Sequence, residues 1–170
     1  MERLIDVLER MPVAPTQRVA TFDECERLHM SLPGRLVPSW LTEMLQRYRL
    51  IGGVFELAEC DDVSGLGVAM QWMSPAMLLE EMLQAMPGRI AEASGFLAVG
   101  ACLEGSGDPY FLKLRDRAET DPPVYRIYHD ARFGPVAYED LSAQQANLVA
   151  PRLSAFLEKA ATGKISAFPV

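Results

Sequence analysis

Apolar residues recur along this chain with two different periods, and the switches between them separate helices from strands. In "MERLIDVLER" Leu4, Ile5 and Leu8 fall at helical spacing before Pro12, which predicts a short amphipathic helix. Thr21 and Glu24 form a T-x-x-E capping box that opens a second helix over "FDECERLHM". Pro38 suits the first turn of a third, where its missing N–H costs nothing; Trp40, Leu41, Met44, Leu45 and Tyr48 share a face, and Gly52-Gly53 stops it.

Beyond that point the period drops to two. "VFELAE" sets Val54, Glu56 and Ala58 against Phe55, Leu57 and Glu59, as a half-buried strand does, "CDDVSG" turns the chain, and "LGVAMQWM" is a second strand. Ser74 then caps a helix with Pro75 in its first turn, an apolar set at Met77, Leu78, Met82 and Met86, and a Pro-Gly stop. "GFLAVGACL" and "YFLKLRD" flank the turn "EGSGDP" as a hairpin, and "PVYRIYHD" adds a further strand. After the connector "ARFGPVAYEDLSAQQANL", Pro151 starts a last helix with Leu153, Phe156, Leu157 and Ala160 on one face and Gly163 at its end. The order predicts an α+β fold, a mainly antiparallel sheet packed with helices, as a single domain over residues 1–170.

The 170 residues suit one core, and 49% hydrophobic with 23% charged is enough apolar mass to bury it. The formal charge of −7 repels phosphate backbones and anionic lipid, so nucleic acid and membrane are not the expected partners. A basic protein is a better match, because complementary charge speeds encounter. No apolar run approaches the ~20 residues that span a bilayer, and the charged start has no signal-peptide pattern, so a cytoplasmic location is expected. Three distant cysteines, Cys25, Cys60 and Cys102, have no metal-ligand spacing, and neither metal nor cofactor is expected.

Candidate chemistry is sparse. His129, at the end of "IYHD", could act as a base with a neighbouring carboxylate, but His129 and Asp130 are adjacent on a strand and should face opposite ways. Cys102 lies between Ala101 and Leu103, where a thiol packs as a small hydrophobe. The pairs Asp61-Asp62, Glu80-Glu81 and Glu139-Asp140 fall on turns or helix exteriors and read as solvated. A small hydrolase or transferase using His129 is the alternative to a protein without catalysis.

The order of several segments is similar to the SUKH superfamily, whose members resemble the yeast cell-wall assembly regulator and many bacterial immunity proteins. The residues that carry this are "ECERLHMSLP", Gly95-Phe96-Leu97 with Val99-Gly100, "GSGDPYFLKL", "PVYRIYHD" and "LSAFLEKA", over about residues 22–161. The resemblance implies a SUKH-like fold and a non-catalytic protein-binding module, above all an immunity protein that neutralises a basic toxin domain, or else a regulatory scaffold. Recognition belongs on loops, and the acidic turn "ELAECDDVSG" gathers Glu56, Glu59, Asp61 and Asp62 not far in sequence from Trp72. These five residues are the expected partner-binding set, with Trp72 as core packing the competing reading.

Overall fold

The computed structural model describes residues 2–32, 37–114, 120–129 and 146–162. Three helices come first: α1 (Glu2–Arg10), α2 (Phe22–Ser31) and α3 (Ser39–Arg47). α1 buries Leu4, Val7 and Leu8, so Val7 replaces the expected Ile5 in the buried stripe. α2 starts at the predicted capping box: Glu24 N–H donates to Thr21 Oγ1 at 3.2 Å, and Thr21 N–H donates to Glu24 Oε2 at 2.8 Å. Arg18 donates to both oxygens of the same carboxylate, at 2.8 and 2.7 Å. Pro38 is the N-cap of α3 rather than a first-turn residue, and Tyr48 is its C-cap, so the helix ends before the glycine pair.

Among the described residues six strands follow: β1 (Val54–Leu57), β2 (Val68–Trp72), β3 (Phe96–Cys102), β4 (Tyr110–Lys113), β5 (Val124–Ile127) and β6 (Ala146–Ala150). Each pairs antiparallel with the next, so the sheet runs β1-β2-β3-β4-β5-β6 in chain order. The chain is therefore α+β, as its periodicity predicts. Helices α4 (Pro75–Leu83) and α5 (Gly88–Ala91), with a 3-10 turn at Glu92–Ser94, occupy the connection between β2 and β3. Ser74 caps α4 as expected, but Met77 and Met86 are exposed and only Leu78 and Met82 of the predicted set reach the core. The Pro-Gly stop leads straight into α5.

β6 and α5 differ from what the sequence predicts, a connector through Leu148 and no helix after Gly88. β6 has too little apolar character of its own to announce a strand; its Ala146, Val149 and Ala150 are buried only because β5 lies beside them. The final helix α6 (Leu153–Thr162) begins two residues after Pro151, while its expected stop, Gly163, lies outside the described residues.

One apolar cluster joins the layers. Phe156 of α6 meets Phe55 of β1 with ring centroids 6.1 Å apart, and Phe55 meets Trp72 edge-on at 5.9 Å. Met82 of α4 lies against β3, where its sulfur accepts the Ala98 N–H at 3.3 Å. Burying each such large side chain contributes about 1.5–3 kcal/mol. Gly95 of "GFLAVG" is fixed by conformation and space, with φ +72 and a Cβ that would lie 2.8 Å from Leu114 O, while a Cβ on Gly100 would lie 2.4 Å from Met70 Cε and displace the end of that side chain. Gly100 allows Met70 to fill the face beside Tyr110.

The Glu24 carboxyl is held at about 2, chiefly by the Arg18 hydrogen bonds, with burial opposing and Thr21 assisting. Because the folded value lies below the ordinary 4.5, the stabilisation is complete above that pH and is lost as pH falls through about 2. Glu24→Gln should cost about 1 kcal/mol at neutral pH and reduce the acid-side slope of stability between pH 4.5 and 2, read from urea unfolding at a series of pH values.

Candidate protein-binding loop

The segment 58–67 joins β1 to β2, and its backbone is tied from within and from outside. Asp61 and Asp62 N–H both donate to Ala58 O, at 2.9 and 3.2 Å, and Gly65 N–H donates to Asp62 O at 3.0 Å. Asp62 accepts from Ser64 twice, from N–H at 2.9 Å and from Oγ at 2.6 Å, which is the local Asx pattern that aspartate in a turn favours. Three distant groups add tethers. Val63 N–H donates to Val149 O of β6 at 3.0 Å, Lys159 Nζ of α6 donates to Asp61 O at 2.8 Å, and Arg126 Nη1 of β5 donates weakly to Gly67 O at 3.4 Å.

So held, the loop presents two apolar side chains to solvent, Val63 at 60% and Leu66 at 48% exposure, with Glu59, Cys60 and Asp61 also exposed. Of the expected set, only Glu59 and Asp61 are exposed on this loop, and Asp61 pairs with Lys159 at 3.5 Å. Glu56 is on β1, half-buried opposite Ala69. Two members are corrected. Asp62 is 5% exposed because its carboxylate is turned inward onto Ser64, so it shapes the loop instead of facing a partner. Trp72 is 2% exposed, packed on Phe55, and belongs to the core.

Val63 and Leu66 escaped the sequence reading. Their signal is their position: two branched apolar residues inside a run of Asp, Ser and Gly, without the alternation that a strand would supply.

A second polar group ties the β3–β4 connection to the end of β5. Asp108 Oδ1 accepts His129 N–H at 3.0 Å and lies 2.8 Å from His129 Nδ1, while the Ser106 hydroxyl accepts Asp108 N–H at 3.4 Å and lies 3.1 Å from Cys102 Sγ. Burial alone would raise the Asp108 carboxyl, but the hydrogen bonds from His129 and Ser106 outweigh it and hold the carboxyl below the ordinary range. The carboxylate beside His129 is thus Asp108, and Asp130 lies outside the described residues, as do Glu139 and Asp140. The contacts of Ser106 are with the Asp108 main chain and Cys102, whereas the nucleophile of a hydrolytic triad hydrogen-bonds the imidazole.

Two concave spaces of about 240 and 320 Å³ lie between α1, α3 and the segment after each, sharing Leu8, Arg47 and Tyr48, and neither includes the 58–67 loop. Among the described residues no three His, Cys, Asp or Glu side chains group to hold a metal ion, and no helix is long and apolar enough to cross a membrane.

Asp62→Ala removes both acceptors for Ser64 and leaves a polar turn untied. Global stability should fall by about 1–3 kcal/mol in urea unfolding, with limited proteolysis first cutting within 58–67. A variant as stable and as protease-resistant as wild type would remove Asp62 from this role.

Compared with protein-family models, with characterised proteins and with solved structures, the chain matches none of them.

Proposed function

We propose that this chain is a non-catalytic protein-binding module of the immunity type that the SUKH-like segment order implies, and that it captures a basic toxin domain with the 58–67 loop. The observation that carries the reading is the pairing of two exposed apolar side chains, Val63 and Leu66, with two exposed carboxylates, Glu59 and Asp61, on a backbone already tied down. A loop fixed before binding loses less entropy on capture, which favours affinity without a large interface. The net charge of −7 adds long-range attraction for a cationic partner.

The two kinds of residue act on different rate constants. Exposed acids steer encounter and are screened by salt, whereas desolvated apolar anchors slow escape. Co-expression with a toxin domain encoded beside this chain should protect cells, and the purified pair should bind directly. Glu59→Lys with Asp61→Lys should then slow association roughly tenfold or more at low salt and flatten its salt dependence, with little change in dissociation. Val63→Asp with Leu66→Ala should instead speed dissociation roughly tenfold or more. Unchanged kinetics in all four substitutions would remove this loop from the interface, and failure to protect against any such toxin would count against the immunity reading.

The Asp108–His129 pair supports a second reading, a hydrolase or transferase in which the carboxylate orients the imidazole. Turnover found in a broad substrate screen and abolished by His129→Ala would replace the first proposal with this one; equal inactivity of both proteins would leave the binding reading standing.

A further inference from the structure

β4, β5 and β6 place Tyr110, Arg126 and Asn147 in one transverse row, since Tyr110 pairs with Arg126 and Arg126 with Asn147. Directly paired residues project to the same face of a sheet, with Cα atoms roughly 4.5–5.5 Å apart, so the three side chains stand side by side. Each contributes a buried polar atom without a hydrogen-bond partner: Tyr110 OH, Arg126 Nε and Asn147 Nδ2. The last two can only donate, whereas the phenol, while it keeps its proton, donates one hydrogen bond and can also accept one from the neighbouring Arg126. Burial pushes the Tyr110 phenol up to about 12 against the opposing pull of Arg126, so it is protonated at neutral pH.

Arg126 itself is only 4% exposed and carries a fixed positive charge. Among the described residues no carboxylate pairs with it; it has the Gly67 carbonyl at 3.4 Å and the edge of cation–π range, 5.9 Å from the Tyr110 ring. A buried cation so weakly compensated is costly, and with Arg126 Nε and Asn147 Nδ2 also unpaired the row has more donors than acceptors beside an uncompensated positive charge. A water molecule could accept from this row but could not answer its charge.

We propose that Tyr110, Arg126 and Asn147 form an internal site for a small carboxylate ion, whose two oxygens take the guanidinium, the phenol and the amide as donors. The planar guanidinium matches a carboxylate's geometry, and the burial of Tyr110 and Arg126 favours a small ion such as formate or acetate. The site adjoins the base of the 58–67 loop, because Arg126 already reaches Gly67 O. The inference does not depend on the loop's function.

The test uses the full chain in buffer free of carboxylate and phosphate, titrated with sodium formate or sodium acetate at constant ionic strength set with sodium fluoride. Wild type should bind one formate per chain by calorimetry, and its Tm should rise saturably, by roughly 5–10 °C at a hundred times Kd. Arg126→Met should abolish both responses, and Tyr110→Phe and Asn147→Leu should each weaken binding roughly tenfold. The last two variants retain the test if Arg126→Met does not fold. A purely structural role would shift the Tm of each variant but leave no formate-dependent increment in wild type. That result, or an equal increment in wild type and the variants, would overturn the proposal.

Discussion

The contact of Phe156 with Phe55 governs the arrangement, because it joins the last described helix to the first strand of the sheet. α6 follows directly on β6, the far edge of the meander, so packing α6 on β1 requires the sheet to curl until its two edges share one helix. The same curl lets Val63 N–H reach Val149 O across the gap between the β1–β2 connection and β6. It also leaves Trp72 no way out: it stands behind Phe55, inside the space that α6 closes. The burial of an aromatic residue near the acidic turn and the fixed shape of that turn are therefore two results of one packing decision.

What could be read from the sequence was whatever depended on neighbours within a few residues. The Thr21–Glu24 box, the Ser74 cap and the alternation of "VFEL" each carry a local physical reason, and each appears where expected. β6 does not, because "ANLVA" becomes a strand only through the carbonyls and amides that β5 offers it. The candidate site divides in the same way. Exposed Glu59 and Asp61 could be placed on a turn from composition, while the inward rotation of Asp62 depends on the hydroxyl two residues on and the exposure of Val63 and Leu66 depends on what fails to cover them. His129 shows the limit most plainly: its carboxylate partner is 21 residues earlier, across a hairpin that alternation along one strand cannot see.

The alternation in "PVYRIYHD" is also informative where it misleads. Period two sets Val124, Arg126 and Tyr128 apart from Tyr125, Ile127 and His129, and a strand bearing an arginine would ordinarily turn that side to water. Here Val124 and Arg126 are buried and Tyr125 is half-buried, so both faces of β5 are covered and the arginine had no solvent side to choose. A curled sheet of six strands has interior on its concave side even where its sequence is polar. The cost of that charge is set by the fold as a whole rather than by the strand.

The cations around the 58–67 loop are used on backbone rather than only on side chains. Lys159 donates to Asp61 O as well as approaching its carboxylate, and Arg126 donates to Gly67 O. A carbonyl held by a distant side chain keeps its place whatever residue carries it, whereas an ion pair between exposed side chains is worth little and yields readily to salt. The loop's shape therefore rests on main-chain groups, Asp62 and Ser64, and its surface charge rests on Glu59 and Asp61. Shape and charge are carried by different atoms, which allows the exposed residues of this loop to change, and with them the partner that fits, while the backbone presenting them stays as it is.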